Sequence, residues 1–205
     1  MTGVTTAHLS NAIDDRYFEI ESLHGERGAR LAAESHSAAI DQIEAIVEEE
    51  KIDCDFERLD GYLFLSPDDE QELLDRELAA AHRAGLRVEM VRRVPLPSED
   101  GIPCLRFPNQ GQFHPLKYLT AVAKAIQRDG GRIFTHTHVD EITGGRPAKI
   151  TAGHHVVTAD AVVVATNTPI NDLLVIHTKQ APYMTYMIGA SVPHGSVPKA
   201  LYWDT

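Results

Sequence analysis

The chain is poor in cysteine, in basic side chains and in long apolar runs, and each shortage closes off a class of protein. Its two cysteines, Cys54 and Cys104, lie in unrelated contexts with no C-x-x-C between them, which fits reduced thiols of a cytoplasmic protein better than a disulfide framework. Lys and Arg number 19 against 30 Asp and Glu, for a net charge of −11. Nucleic acid and anionic membrane surfaces are recognised by clustered cations, so neither is expected as a partner. No apolar stretch reaches the ~18 residues of a membrane span, and the N-terminal MTGVTTAHLSN has no signal-peptide core. There is no internal repeat and no low-complexity segment. A soluble, cytoplasmic protein is expected.

What is present is enough to build a core. At 205 residues with 43% hydrophobic side chains, the chain can bury one domain or two small ones. DRYFEIESLH predicts a short helix. Glu26 to Lys51 predicts a long one, because Leu31, Ala39, Ile43, Ile46 and Val47 recur at helical spacing before the solvated run Glu48, Glu49, Glu50. DFERLDGYLFLS then predicts two short strands around the turn pair Asp60-Gly61. Ser66-Pro67-Asp68-Asp69 opens a helix that runs through LLDRELAAAH and stops at Gly85. CLRF predicts a strand, and Pro115 to Ile126 a helix closed by Gly130-Gly131. Farther on, IFTHTHVDEI alternates as a strand, KITAGHHVVT reads as a hairpin, and APYMTYMIGASV and ALYW read as strands.

The stretch ADAVVVATNTP carries three valines in a row after Asp160, which suits a strand covered on both faces within a parallel sheet. Ligands of open α/β sheets lie beyond the carboxyl ends of such strands, so Ala165, Thr166 and Asn167 stand where a cofactor would be met. A plain turn before a helix, with Thr168 as cap and Pro169 at the first helical position, accounts for the same residues. The order of elements interleaves two units. Residues 1–52 and 110–174 read as α/β, and residues 53–109 and 175–205 as strands of a separate sheet. His136 and His138 are two apart on a predicted strand and would face one side, with His154 and His155 in the next hairpin. That set could gather a zinc ion or simply serve as polar surface.

The series GVTTAHLSNAIDDRY, LDGYLFL, GQFHPLKYL, GGRIFTHTHVDEI, ADAVVVATNTPIND and HTKQAPYMTYMIGA resembles the D-amino-acid-oxidase-like (DAO) family of FAD-dependent oxidoreductases. Within it, the likeness is to the bacterial branch whose members often carry a C-terminal Rieske iron–sulfur domain. The resemblance covers nearly all of the chain. It implies an α/β plus α+β fold, in which a partial FAD/NAD(P)-binding, Rossmann-like domain (1–52 and 110–174) interleaves with a partial antiparallel-sheet substrate domain (53–109 and 175–205). The family opens with a strand, a G-x-G-x-x-G turn and a helix, whose backbone N–H groups meet the pyrophosphate. These residues hold only the G-x-x-G of Gly25 to Gly28, within helical sequence, so an internal fragment of such a protein is expected.

By the same resemblance Gly3, Thr5 and Thr6 pass beside the flavin and pyrophosphate, the glycine for close approach and the hydroxyls as donors; an N-cap at Thr5 or Thr6 is the plainer reading. Val139 would pair its backbone with the adenine edge, and Ala165, Thr166 and Asn167 would lie along the ADP half of FAD. Tyr62, Lys179, Tyr183 and Tyr186 could wall a pocket for a small-molecule substrate, or serve only as sheet packing and surface. His114 precedes Pro115 at a helix start, which suits capping or interdomain packing. Family members that oxidise amino acids place an arginine where this chain reads TTAHLSN, although Arg16 lies farther along. The implied reaction is hydride transfer from a C–N bond of an amine-like substrate to FAD, with the electron acceptor open. The C-x-H and C-x-x-H pair of Rieske ligands is not in the sequence, so any [2Fe-2S] centre is expected outside this chain. Two other readings stand beside this one: a non-catalytic remnant or interaction module without cofactor, and a metal-binding protein built on the histidines.

Overall fold

A computed structural model describes residues 3, 5–96, 101–166, 186 and 188–205. They fall into two compact units, one of residues 1–129 with 187–205 and one of residues 130–186.

The first unit begins with the two-residue strand β1 (His8–Leu9) and the helix α1 (Tyr17–Glu49). As the sequence divides it, α1 is a short segment and a long one, joined at Gly25, whose φ of 72° and ψ of 171° interrupt the helix. Glycine alone adopts that conformation without a steric penalty on Cβ. Strand β2 (Glu57–Phe64) leads to α2 (Gln71–Arg83), β3 (Glu89–Val91), β4 (Cys104–Gln112) and α3 (Pro115–Arg128), and β8 (Leu201–Asp204) returns at the end. Helix α2 stops as expected at Gly85, which takes a φ of 92°. The Gly85 and Leu86 amides donate back to the His82 and Ala81 carbonyls, each at 3.0 Å, the pattern of a Schellman stop.

The sheet runs β1-β4-β2-β8, with β3 also on β4. All pairs are antiparallel except β2 with β8. Its core is made by Leu63, Leu105 and Phe107 from the strands, Leu74, Ala80 and Ala81 from α2, and Tyr17, Ala29 and Ala33 from α1. The alanines on the facing helices keep the contact surfaces small, so α1 and α2 pack closely over the same patch. Cys54 and Cys104 are both free and buried. Burial pushes the Cys104 thiol up to about 11, which leaves it protonated and inert at neutral pH.

The two strands expected around Asp60-Gly61 are one strand. β2 passes straight through, with a shift of register against β4 between Leu59 and Gly61. Gly61 is there for packing rather than for a turn: a Cβ on it would lie 2.4 Å from Cη2 of Trp203. The short strand expected at CLRF likewise extends on to Gln112.

The second unit holds a three-stranded antiparallel sheet, β5 (Glu141–Thr143), β6 (Ala148–Ala152) and β7 (His155–Ala159). The expected hairpin is β6–β7, which turns at Gly153 with a φ of 58°. Two expected strands differ: IFTHTHVDEI is strand only at its end, where Glu141 and Ile142 enter β5, and residues 160–166 form none. Residues 132–139 are irregular, with a φ of 54° at His136, and 160–166 carry no ladder. Strand pairing supplies the hydrogen bonds that extended backbone lacks by itself, and neither segment takes part in a ladder among the described residues. Val163 is accordingly 89% exposed. Among the described residues no helix is long and apolar enough to cross a membrane.

Candidate functional site

Residues 5–16 form a strap that crosses the sheet edge and enters α1. Its path is set by buried polar contacts. Gln110, on β4, is fully buried. Its Oε1 accepts from the Ser10 hydroxyl at 2.9 Å and from the Asn11 amide at 2.7 Å, while its Nε2 donates to the Pro108 carbonyl at 2.7 Å. Ser10 Oγ in turn accepts from the Ala12 amide at 3.0 Å. The Tyr17 hydroxyl donates to the Asn11 carbonyl, and Asn11 Nδ2 donates to Ser37 on α1 at 3.0 Å. Arg16 has no free fork for a substrate carboxylate here, because its guanidinium donates to the Ile13 and Asp204 carbonyls.

Ahead of this latch, β1 pairs His8 with Gln112 and Leu9 with Gly111. Gly3, Thr5 and Thr6 thereby border a cavity of about 370 Å³ together with Ala7, Asp55, Gln112, Phe113, His114, Pro115 and Leu116. A Cβ on Gly3 would stand 3.3 Å from a Leu116 methyl, so a small residue suits this approach. Thr5 is not a helix cap. Its Oγ1 accepts from the Ala7 amide at 3.3 Å within a local turn, and α1 starts only at Tyr17.

The opposite wall is the head of α3. His114 does cap it: Nδ1 accepts from the Lys117 amide at 3.4 Å, with Pro115 at the first helical position. The His114 amide donates to the Cys54 carbonyl at 2.6 Å, which ties the cap to the start of the β2 segment. Lys117 pairs with Asp55 at 2.7 Å, and that hydrogen-bonded ammonium holds the Asp55 carboxyl below its usual range. Phe113 packs edge-on against Tyr118 with centroids 5.4 Å apart. The cavity thus offers threonine hydroxyls, a glutamine amide and an apolar floor, while its Asp55 and His114 are engaged in a salt bridge and a cap.

The other residues that the sequence singled out lie elsewhere. Tyr62 is on β2, stacked on Tyr202 at 5.8 Å, and borders a separate recess with Asp60, Asn109 and Lys199. Val139, Ala165, Thr166 and Tyr186 belong to the second unit. Val139 is half-buried there, Ala165 and Thr166 are exposed, and Tyr186 is 84% exposed. Asn167, Lys179 and Tyr183 fall outside the described residues. Glu77 and Gln110 carried no sequence signal, since a polar residue on a strand or helix reads as surface until its partners are known.

Neither His136 nor His138 lies on a strand, so the two-residue spacing no longer puts them on one side. Among the described residues no group of three His, Cys, Asp or Glu is placed to hold a metal ion. Addition of zinc or of a chelator is therefore expected to leave the melting temperature unchanged. A ligand at one hundred times its Kd would stabilise by about 2.7 kcal/mol, a shift that thermal unfolding would reveal at once.

A mixed sheet carrying helices and a separate three-stranded antiparallel sheet make this a mixed α/β chain. The family model described as DAO, FAD dependent oxidoreductase, matches residues 1–202, and the chain belongs to that family. Among curated relatives it is 32% identical over 172 residues to YhfW of Bacillus subtilis (strain 168), whose name places it with Rieske 2Fe-2S iron-sulfur proteins; the match covers 83% of this chain and 34% of YhfW. It is 28% identical over 178 residues to gamma-glutamylputrescine oxidoreductase of Escherichia coli (strain K12), covering 83% of this chain and 41% of that one. The chain thus spans well under half the length of these relatives. Glycine oxidase from Geobacillus kaustophilus superposes with a TM-score of 0.61 at 17% identity, over 80% of this chain and 45% of that one, a likeness of fold alone.

Proposed function

We propose that this chain supplies part of the flavin-binding and substrate-facing surface of an FAD-dependent oxidoreductase that oxidises a C–N bond of an amine-like substrate. The observation that carries this is the convergence of Gly3, Thr5 and Thr6 with Gln112 and Phe113 on one cavity. Its donors and apolar floor fit one end of a flavin nucleotide. The name of the Escherichia coli relative, an oxidoreductase of gamma-glutamylputrescine, supports the amine class.

Bound FAD would supply the hydride acceptor. The chain's own part is to hold and orient it: hydroxyl donors at Thr5 and Thr6 and close approach at Gly3, with Val139, Ala165, Thr166 and Asn167 assigned by family resemblance to the adenosine half. Tyr62, Lys179, Tyr183 and Tyr186 are assigned to the substrate side. In this reading residues 1–52 and 110–174 serve the flavin, and residues 53–109 and 175–205 the substrate. A Rieske centre like that in YhfW's name would lie outside these residues.

Flavin loading of the isolated chain tests the reading. The phosphates of FAD call for a glycine-rich turn at a helix N-terminus, and no G-x-G-x-x-G occurs in the 205 residues. The purified chain titrated with FAD is therefore expected to remain colourless after gel filtration. The same chain fused behind a β-turn-helix unit carrying that turn is expected to retain a yellow chromophore. Stoichiometric flavin on the isolated chain would show that the turn is dispensable, and no flavin on either protein would sink the flavin reading.

A further inference from the structure

We propose that Gln110 is the positioning residue of the flavin strap, the side chain that fixes residues 8–12 so that Thr5 and Thr6 face the cavity. This rests on the flavin reading above and adds the element that makes it work. A buried amide on a central strand is costly unless its donors and acceptor are matched. Here the acceptor is fully used and the arrangement is one-sided: Oε1 takes two donors from the strap, Ser10 Oγ and Asn11 N, while one Nε2 hydrogen is anchored on its own strand at Pro108.

The position suits a latch. β1 is only two residues long, so its ladder with Gln112 and Gly111 is a weak hold on the strap. Gln110 adds two hydrogen bonds immediately after it, at the point where the chain leaves the sheet edge. On its own strand Gln110 is two residues from Gln112, which lines the cavity, so both side chains share one face of β4. Gln110 does not itself line the cavity; it acts through Ser10, Asn11 and β1.

Gln110→Leu, of similar volume, removes both strap contacts. Amide hydrogen exchange on the isolated chain should accelerate about tenfold or more at Asn11 and Ala12, while the β2–β4 ladder at Leu63 and Leu105 keeps its protection. In the flavin-retaining fusion, FAD affinity measured well below the melting temperature should fall about tenfold, the equivalent of one good hydrogen bond. Ser10→Ala, which deletes a single donor, should shift both readouts the same way by a smaller factor and serves if Gln110→Leu does not fold. Uniform loss of protection across the sheet would make Gln110 an ordinary structural residue and overturn the proposal. Local loss with unchanged FAD affinity would overturn it as well, while leaving the flavin reading intact. Absence of FAD binding by the unsubstituted fusion would remove the flavin reading, and this inference with it.

Discussion

Glu77→Ala is expected to lower the unfolding free energy by about 2–4 kcal/mol at pH 5. Helix α1 begins after Arg16, whose side chain makes no capping hydrogen bond, so the first free amides of a 33-residue helix have no local acceptor. Glu77 supplies it from α2. Its Oε2 accepts from the Tyr17 amide at 2.7 Å and from the Phe18 amide at 3.4 Å, and the side chain is 1% exposed. Truncation leaves both amides buried and unpaired and opens a cavity between the two helices. Urea unfolding measures the loss, and a change below about 0.5 kcal/mol, the range of neutral surface substitutions, would show that water replaces the cap.

The same residue gives the protein a pH dependence of defined sign. Burial raises the Glu77 carboxyl from its ordinary 4.5 to about 7, outweighing the two amides that favour the ionised form. Between those values the folded protein binds a proton that the unfolded chain does not, so stability falls as pH rises. The contribution is fully present below about pH 4.5 and lost through about pH 7, an effect on the order of 3 kcal/mol. Glu77→Gln keeps an acceptor for Tyr17 and has no charge to bury. Its stability relative to the unsubstituted protein should therefore increase across that window, and parallel pH profiles for the two would refute the assignment. Arg16 and Glu19 act on Glu77 with opposite signs and are present in both proteins, so the difference isolates Glu77.

Gly61→Val is expected to destabilise by roughly 1–3 kcal/mol or more through overpacking. A Cβ there would lie 2.4 Å from Cη2 and 2.8 Å from Cζ3 of Trp203, and 3.2 Å from Cγ of Gln110. The indole cannot swing aside freely, because it is set between Phe107 and His8, each with centroids 6.2 Å away. The β2–β8 pair, which aligns Gly61 with Leu201 and Leu63 with Trp203, must therefore loosen. Trp203 is the only tryptophan in the chain, so a red shift of its emission would report the displacement directly, and unchanged emission and stability would contradict it.

These cases show where the sequence was legible. The periodicity of Glu26 to Lys51, the stop at Gly85 and the Pro115 start each rest on contacts within a turn or two of helix, and the structure has all three. Gly25 divides α1 where the two predicted segments met. Gly61 misled, because a glycine after an aspartate reads as a turn, and the reason for it sits 142 positions away in Trp203. The valines at 162–164 spell a buried strand, but a strand exists only through its neighbours, and these join no ladder among the described residues.

The sequence by itself therefore determined the helices over Glu26 to Lys51 and from Pro115, the stop of α2 at Gly85, the β6–β7 hairpin and the small polar character of Gly3, Thr5 and Thr6, all carried by short-range chemistry, while the family was read from a resemblance along the chain. The tertiary structure alone decided that this segment meets Gln112 and His114 on one cavity, that Glu77 caps α1 across 60 positions, and that Gln110 grips Ser10 and Asn11 across about 100. The physical reason is range. Propensity, capping and turn geometry act over a few residues and leave a periodic trace, whereas a buried polar contact between distant segments depends on packing that no local period records.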